Sequence, residues 1–350
     1  MYNEIRPILM EWYRANGREL PWRGIDDPYK VWLSEIILQQ TRVAQGMPYY
    51  LSFTKAFPTV AHLAKASEQE VLNLWQGLGY YSRARNLHAA AKYVANDLDG
   101  VFPNNYRDLL KLKGVGDYTA SAIASIVFNE PKAVIDGNVF RVVSRLFLVE
   151  DNIADTRSKP VFAQIANELL DRERPGDFNQ AIMDFGAMQC SPKPECGTCP
   201  LTKHCRAYEL NSQRELPVKI KNLKRRKRYF HYFYLHHNSL IYLKRRSGKD
   251  IWKGLYELPL IETEGEAFPQ GEMNDIGVDA LNAPLPPVFK KVHKLTHQDI
   301  IGIFYSLNAE PSSDAYECIE FDQLEEYPVS RLTDEFFRNL QSGVTPSLFE

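Results

Sequence analysis

The sequence predicts a multidomain protein in which an all-α region precedes a smaller α+β module. At 350 residues the chain is long for one domain, and two or three domains are the expectation. Apolar residues recur at helical spacing within residues 1–189, whereas the short runs and alternation typical of strands begin at Tyr229. A basic linker separates the two parts, because seven of the ten residues from Lys219 to Arg228 are Lys or Arg. We therefore divide the chain into residues 1–212, 213–228 and 229–350.

The composition is that of a soluble globular protein, with 44% hydrophobic and 25% charged residues. No stretch of about 18 consecutive apolar residues is present, and the first residues lack the basic-then-apolar pattern of a secretory signal. We therefore expect no membrane span and no secretion, but an intracellular, reducing compartment. The formal net charge of −2 does not exclude a nucleic-acid partner, because the basic linker is offset by an acidic stretch at residues 309–326.

A glycine turn joins two helical patterns at residues 112–118, with the sequence Leu-Lys-Gly-Val-Gly-Asp-Tyr. Glycine is used where the backbone takes positive φ or approaches a neighbour closely. A turn at a helix N-terminus presents unpaired N–H groups that a phosphate can accept. The pattern therefore fits either an ordinary helical corner or a grip on a nucleic-acid backbone that does not depend on base sequence.

Two carboxyl groups are candidates for acid–base chemistry. Glu35 lies one turn after Trp32 and beside Ile36, in a helix whose start suits Pro28. A carboxyl on an apolar face has a raised pKa and suits general acid catalysis near neutral pH. The alternative is that Glu35 is a solvated residue at the edge of the helix. Asp136 precedes an apolar-periodic helix and fits an N-cap, where helix N–H groups and the helix dipole keep a carboxylate ionised.

Taken together, these tracts resemble the helix-hairpin-helix DNA glycosylases and, within them, the adenine glycosylases that remove adenine mispaired with 8-oxoguanine. The turn matches L-x-G-V-G-x-Y-T-A, with Asp136 twenty positions after Gly116. Residues 34–43 match S-E-x-x-L-Q-Q-T-x-V. The resemblance implies a six-helix barrel with the helix-hairpin-helix over about residues 28–132. It also implies a second lobe, formed by the N-terminal segment and residues 133–212, that carries an iron–sulfur cluster loop.

The resemblance also implies the roles of individual residues. Glu35 is the expected catalytic acid and Asp136 the expected carboxylate, with Tyr118 and Asn138 orienting and supporting them. In the loop Leu20-Pro21-Trp22-Arg23 the last two side chains look exposed, with anchoring of the loop by Trp22 as the alternative. This loop would lie beside the extruded base, while Gln40 and Tyr80 would enter the DNA stack. The residues implied to contact DNA or the base are Arg23, Gln40, Thr41, Arg42, Tyr80, Gly114, Gly116 and Gln180.

Four of the five cysteines form a C-x5-C-x2-C-x5-C cluster, at Cys190, Cys196, Cys199 and Cys205. In an intracellular chain such a cluster indicates a metal rather than disulfides. Compact runs of this kind are typical of iron–sulfur clusters, whereas zinc sites commonly carry two C-x2-C pairs, so zinc is the minor alternative. The glycosylase pattern is one residue longer in its first gap, and the resemblance implies a [4Fe-4S] cofactor.

The segment Trp252–Pro259, with its G-L-Y-E-L-P run, resembles a Nudix-type module. The sequence lacks the G-x5-E-x7-R-E-x2-E-E box that would hold magnesium, so we expect no nucleotide hydrolysis there. In the adenine glycosylases this module reads 8-oxoguanine through a Phe-Ser-His-type loop. The matching residues are Leu295, Thr296 and His297, with Leu in place of Phe and Thr in place of Ser.

The implied protein is a monofunctional glycosylase that acts as a monomer on double-stranded DNA containing adenine opposite 8-oxoguanine or guanine. A cytoplasmic, nucleoid-associated location without membrane contact follows from this partner. One alternative is an endonuclease III-like glycosylase and lyase, which would need a Schiff-base lysine where this chain has Tyr118. The other is a non-catalytic iron–sulfur protein that binds DNA or senses redox state.

Overall fold

The computed structural model describes residues 1–220, 225–279 and 283–342. Its contacts group the chain into two compact units. The first unit is formed by Met1–Lys65 and Asn86–Asn222, and the second by Ala66–Arg85 and Leu223–Glu350. The division predicted from the sequence, at residues 212 and 228, places residues 66–85 in the helical region. The contacts instead group these residues with the C-terminal unit.

The described residues form thirteen α-helices, numbered α1 to α13 in chain order. They are Tyr2–Asn16, Pro28–Leu38, Val43–Ala56, Val60–Lys65, Glu68–Leu74, Ser82–Asp97, Tyr106–Leu109, Asp117–Phe128, Gly137–Phe147, Lys159–Leu169, Pro175–Met188, Arg206–Glu209 and Arg331–Gln341. Short 3-10 helices occur at Thr156–Ser158, Cys196–Thr198, Thr202–His204, Gln270–Ile276 and Phe321–Glu326. No helix in the described part of the chain has the length and apolar character needed to cross a membrane.

Helix α2 begins where the sequence predicts. Asp27 is its N-cap, and the Asp27 carboxylate accepts hydrogen bonds from the backbone N–H groups of Tyr29 and Lys30 at 3.0 and 3.3 Å. Pro28 occupies the first turn, where its missing N–H costs no helical hydrogen bond. Residues 31–37 are all buried, so this helix runs through the interior of the first unit and carries Glu35 with it.

Helices α1, α9 and α11 share one apolar core in the first unit. Its buried members include Leu9 of α1, Val142 of α9 and Phe185 of α11. Gly186 allows α11 to approach the start of α9, because a Cβ at this position would lie 2.7 Å from the Cβ of Asn138. The close approach fixes the segment that follows Asp136.

The second unit contains a mixed seven-stranded sheet, with strands β1 to β7 at Arg226–His237, Leu240–Arg245, Tyr256–Glu257, Leu260–Thr263, Phe289–Lys294, Gln298–Asn308 and Glu317–Glu320. The main order is β3-β2-β1-β6-β5, with β4 paired to β1 and β7 paired to β2. The central pair β1 and β6 runs parallel. Helix α13 covers one face of the sheet, where Phe336 stacks on Phe304 with ring centroids 4.5 Å apart.

Residues 66–85 are bound to the sheet module by side-chain hydrogen bonds. Gln69 and Asn73 of α5 both donate to the Glu326 carbonyl, at 2.8 and 2.7 Å. Arg245 of β2 forms an ion pair with Glu68 at 2.9 Å. The helical lobe and the α+β module together confirm the predicted fold class.

Candidate active site

Glu35 is buried in the first unit, with 8% of its surface exposed. Burial raises the pKa of its carboxyl to about 7, and the negative charge of Asp136 raises that pKa further. A hydrogen bond from Tyr118 and the positive charge of Arg23 both lower it. The raised pKa expected from the apolar helix face is therefore confirmed. Because Tyr118, Asp136 and Arg23 all act on the Glu35 carboxyl, these four side chains lie in one site.

Asp136 is the N-cap of α9, as the sequence predicts. Its Oδ1 accepts hydrogen bonds from the backbone N–H groups of Asn138 and Val139 at 2.9 and 2.8 Å, and its Oδ2 accepts one from Asn138 Nδ2 at 2.7 Å. Burial nevertheless raises the pKa of Asp136 above its ordinary value, while these hydrogen bonds and the charge of Arg141 act against that rise. The capping interactions favour the anion as expected, but desolvation outweighs them.

Asn138 and Tyr118 occupy the supporting positions. Arg141 Nη2 donates to Asn138 Oδ1 at 2.9 Å, so the Asn138 amide is held from both sides. Burial raises the pKa of Tyr118, and the neighbouring charges of Glu35 and Asp136 raise it further, which keeps the phenol protonated. The Tyr118 hydroxyl donates to Met183 Sδ at 3.3 Å, although a thioether is a weak acceptor, and it also interacts electrostatically with Glu35.

The Trp22–Arg23 loop differs from the sequence expectation. Trp22 looks exposed in the sequence, but the structure leaves only 6% of it exposed and packs its ring against Tyr50, with centroids 4.9 Å apart. The alternative, in which Trp22 anchors the loop, is therefore the correct one, because the loop turns the indole inward. Arg23 is also enclosed and donates two hydrogen bonds to the Asp184 carboxylate, at 2.6 and 2.8 Å.

Asp184 is a site residue that the sequence reasoning missed. The available signal was an acidic residue in the middle of the otherwise apolar run Ala181–Met188. Gln180, one turn earlier on α11, is buried and accepts a hydrogen bond from the Tyr13 hydroxyl at 2.9 Å. Thus α11 contributes Asp184 as the ion-pair partner of Arg23, and Gln180 as the acceptor for Tyr13, whose ring lies beside the Arg23 guanidinium.

The two glycines of the helix-hairpin-helix turn play different parts. Gly114 has φ +84°, and a Cβ there would lie 2.8 Å from the Cβ of Asn86, so both conformation and space require glycine. Gly116 is extended, exposed and without a close neighbour for a Cβ. It is the N-cap of α8 and supplies no capping side chain, so the first N–H groups of α8 have no partner from Gly116.

The stretch after α2 carries the other predicted DNA contacts of the first unit. Gln40 is exposed and has φ 56°, a left-handed conformation that is uncommon outside glycine. The Thr41 hydroxyl donates to the Gln39 carbonyl at 3.4 Å. Arg42 is exposed and is the N-cap of α3. All three residues therefore lie in one short turn between α2 and α3.

Tyr80, Thr296 and His297 lie in the second unit. Tyr80 is 50% exposed and has φ 49°, the same left-handed region as Gln40. Its hydroxyl forms a hydrogen bond of 2.9 Å with Thr296 Oγ1. Thr296 and His297 are exposed in the turn between β5 and β6, where the His297 carbonyl accepts a hydrogen bond from the Arg226 N–H.

The four clustered cysteines line a single cavity beside Arg145 and Phe185. Arg145 Nη1 lies 3.4 Å from Cys190 Sγ, and Cys205 Sγ lies 3.4 Å from the Arg145 carbonyl. Burial raises the pKa of Cys199 to about 11. Within the described ranges, no three His, Cys, Asp or Glu side chains converge on a position for one metal ion.

Comparison with known proteins matches two parts of the chain to families. The HhH-GPD superfamily of base excision DNA repair proteins matches residues 33–167, and the NUDIX domain matches residues 231–339. An adenine DNA glycosylase of Buchnera aphidicola is 36% identical, over 83% of this chain and 82% of its own length. The Arabidopsis thaliana adenine DNA glycosylase is 37% identical over 79% of this chain, which spans half of that relative's length.

Solved structures show the same helical fold. A thermostable thymine-DNA glycosylase is 29% identical, with a TM-score of 0.55, over 60% of this chain and 97% of its own. An endonuclease III trapped as a covalent intermediate with DNA has a TM-score of 0.51 at 21% identity, over 60% of this chain and 98% of its own, and supports the fold alone. On these matches and on the two-part architecture, the chain belongs to the adenine DNA glycosylase family within the HhH-GPD superfamily.

Proposed function

We propose that this protein hydrolyses the N-glycosidic bond of adenine mispaired with 8-oxoguanine or guanine in duplex DNA. The observation that carries the proposal is a pair of carboxyl groups in one site, with Glu35 buried and Asp136 half-buried. Cleavage of a glycosidic bond needs a proton for the leaving group and negative charge beside the sugar, and two carboxyls supply both. The family membership supports the same chemistry, because the relatives are named adenine DNA glycosylases.

Glu35 is the proposed general acid. With a pKa of about 7, a substantial fraction of the carboxyl is protonated at neutral pH, so it can protonate adenine at N7 and make the base a neutral leaving group. Asp136 as the anion then stabilises the oxocarbenium ion or bonds to it transiently. Glu35, now a carboxylate, accepts a proton from the attacking water, and this returns the site to its starting state.

Tyr118 and Asn138 support the two carboxyls. Tyr118 donates to the ionised form of Glu35, and Asn138 donates to Asp136, so each carboxylate has a neutral hydrogen-bond donor. Tyr118 has no amine with which to form a Schiff base, so we propose a monofunctional enzyme. Borohydride reduction in the presence of abasic product is expected to trap little protein. Efficient trapping that survives Tyr118→Phe and depends on a lysine would establish the lyase alternative.

The adenine must leave the duplex to reach this site, at a cost of roughly a few kcal/mol. The first N–H groups of α8, which Gly116 leaves without a side-chain cap, and the exposed Arg42 are proposed to hold phosphates, with Gly114 and Thr41 shaping their turns. Gln40 and Tyr80 are proposed to enter the stack of bases. Both are held at positive φ, a conformation that persists only where the surroundings enforce it and that is typical of functional positions.

The base pocket itself is proposed to include Arg23 and Gln180. Both are enclosed polar side chains, and the charge of Arg23 acts on Glu35 directly. For the opposite strand, we propose that Thr296 and His297 read 8-oxoguanine. The hydrogen bond between Tyr80 and Thr296 supports this assignment, because it joins the proposed stacking residue to the proposed polar reader within one unit.

The cysteine cavity is proposed to hold a [4Fe-4S] cluster through Cys190, Cys196, Cys199 and Cys205. Four thiols line one cavity, and their compact C-x5-C-x2-C-x5-C spacing is typical of an iron–sulfur cluster rather than of a single zinc ion. Arg145 places a positive charge beside Cys190, which suits an anionic thiolate cluster. When bound, the cluster would tie the loop 190–205 together through iron–thiolate bonds.

We further propose that the enzyme is a cytoplasmic, nucleoid-associated monomer, because its substrate is duplex DNA and its thiols require reducing conditions. The NUDIX-type module is proposed to read DNA without hydrolysing nucleotides, and 8-oxo-dGTP is expected to stay intact in its presence. The direct test of function compares adenine release from duplexes with adenine opposite 8-oxoguanine, guanine and thymine. Release from the first two but not the third is expected, whereas binding without release from any of them would leave only the non-catalytic alternative.

A further inference from the structure

Positive charges gather at one end of the sheet in the second unit, beside the turn that carries Thr296 and His297. Arg226 and Lys227 begin β1, and Lys294 ends β5. The side chains of all three residues are exposed. The Arg226 N–H donates to the His297 carbonyl at 3.1 Å, which ties the start of β1 to the turn. We call Arg226, Lys227 and Lys294 the basic sheet end.

The strand register places Lys227 and Lys294 on one face of the sheet. Both are paired with Asp299 of β6. Paired residues on neighbouring strands share a face, and such strands lie about 4.8 Å apart, so the backbones of the two lysines stand about 10 Å apart with Asp299 between them. Arg225 forms an ion pair with Asp299 at 2.6 Å and also donates to the Leu295 carbonyl at 2.8 Å. The carboxylate in this row is therefore already neutralised.

The basic sheet end differs from the other exposed lysines of β5. Lys290 forms an ion pair with Glu266 at 2.6 Å, and Lys291 forms one with Glu335 at 3.4 Å. Within the described ranges of the chain, the three cations of the basic sheet end have no carboxylate at ion-pair distance. Cations that share a surface without counter-charges of their own create a positive potential that attracts an anionic ligand.

We propose that the basic sheet end binds phosphates of the DNA strand that carries 8-oxoguanine. The inference rests on the proposed reading of 8-oxoguanine by Thr296 and His297, because a base held at this turn brings the phosphates on either side of it to the end of the sheet. Phosphate contacts fix register and supply affinity but carry no sequence information. The basic sheet end thus holds the strand, while the turn distinguishes the base.

The expected strength of this interaction follows from the release of counterions. Each phosphate contact contributes a slope of about 0.9 to the dependence of log Kd on log salt concentration. Two lysine contacts therefore contribute about 1.8, so that Kd rises about twelvefold more between about 50 and 200 mM salt than it would without them. A third contact from Arg226 brings the contribution to about 2.7.

The test is titration of a labelled duplex, with adenine opposite 8-oxoguanine, across this range of KCl. We expect the salt slope of full-length Lys227→Gln/Lys294→Gln to be about 1.8 below that of wild type, and the addition of Arg226→Gln to lower it by about 0.9 more. Lys290→Gln/Lys291→Gln removes the same number of exposed lysines from the same sheet and should keep the wild-type slope. Equal slopes in wild type and Lys227→Gln/Lys294→Gln, or an equal fall in the control, would overturn the proposal.

Duplexes with uncharged methylphosphonate linkages identify the strand that is bound. Such linkages on both sides of 8-oxoguanine should weaken wild-type binding at low salt but weaken Lys227→Gln/Lys294→Gln much less, because that variant has already lost the contacts. The same linkages beside the adenine should weaken both proteins by the same factor. The reverse pattern would show that the basic sheet end binds the adenine strand, contrary to the proposal.

A further readout separates phosphate binding from base recognition. The ratio of Kd values for duplexes with guanine and with 8-oxoguanine opposite adenine should be the same in Lys227→Gln/Lys294→Gln as in wild type, and a lower ratio in the variant would overturn the phosphate role. If this variant does not fold, Lys227→Gln and Lys294→Gln alone carry the test, with an expected fall in slope of about 0.9 each. A wild-type protein that releases no adenine would refute the proposed function, whereas the salt slopes would still decide whether the basic sheet end binds DNA.

Discussion

Glu35→Gln should make the protein more stable while it removes the catalytic acid. A buried carboxyl with a raised pKa binds its proton more tightly in the folded state than in the unfolded chain. Between the unfolded value of 4.5 and the folded value of about 7, the native protein therefore gains protons relative to the unfolded one. The free energy of unfolding falls as pH rises through this window and stays at the lower level above it.

The magnitude follows from the size of the shift. Each pKa unit corresponds to about 1.4 kcal/mol, so the ionised Glu35 costs about 3 kcal/mol above pH 7. Solvent does little to screen this cost, because the Glu35 carboxyl is buried. Glutamine keeps the shape and never ionises, so Glu35→Gln should recover most of this energy at pH 8. In a unit of about 200 residues that is roughly 6–12 °C in Tm.

The assay is thermal unfolding of wild type and Glu35→Gln at pH 5 and pH 8, with Glu11→Gln as the control at an exposed position of α1. The gain should be large at pH 8 and nearly absent at pH 5, where wild-type Glu35 already holds its proton. A gain that is equal at both pH values, or a loss of stability at pH 8, would refute the raised pKa of Glu35 and the acid role built on it.

Three further outcomes are expected. Gly114→Ala should destabilise the first unit by about 1–2 kcal/mol in a denaturation experiment, because Gly114 has a positive φ. Gly116→Ala should leave the free energy of unfolding unchanged but weaken duplex binding, as measured by titration with labelled DNA. Cys199→Ser should lower the iron and sulfide content of the purified protein, with the exposed Cys318→Ser as the unaffected control; equal content in both would remove the cluster from this loop. Phe336→Ala should lower the free energy of unfolding of the second unit by about 3–5 kcal/mol, because the stacked ring of Phe304 and the other buried neighbours lose their contacts. A loss below about 1 kcal/mol would contradict this packing.

The features that the sequence predicts well are local ones. Pro28 and Asp136 mark the starts of α2 and α9, because a proline in the first turn and a capping carboxylate act on backbone groups within three residues. The apolar neighbours of Glu35 predict its raised pKa for the same reason. Strand-like runs after Tyr229 predict the sheet module, since alternation along one strand is visible without knowledge of its partners.

The features that the sequence did not reveal depend on contacts between distant parts of the chain. The burial of Trp22 requires Tyr50 as its partner, and the buried state of Asp184 depends on arginines more than 160 positions earlier. Desolvation of Asp136 outweighs its capping hydrogen bonds only because the surrounding helices exclude water. The grouping of residues 66–85 with the C-terminal module likewise arises from long-range hydrogen bonds.

The measurement that bears most directly on the central claim is single-turnover adenine release from a duplex with adenine opposite 8-oxoguanine. Wild type is compared with Glu35→Gln and Asp136→Asn, with duplex binding measured in parallel. We expect both variants to bind DNA and to lose release by roughly a hundredfold to ten-thousandfold, the usual contribution of a positioned acid or base. Release at the wild-type rate by either variant would contradict a reaction carried by these two carboxyl groups.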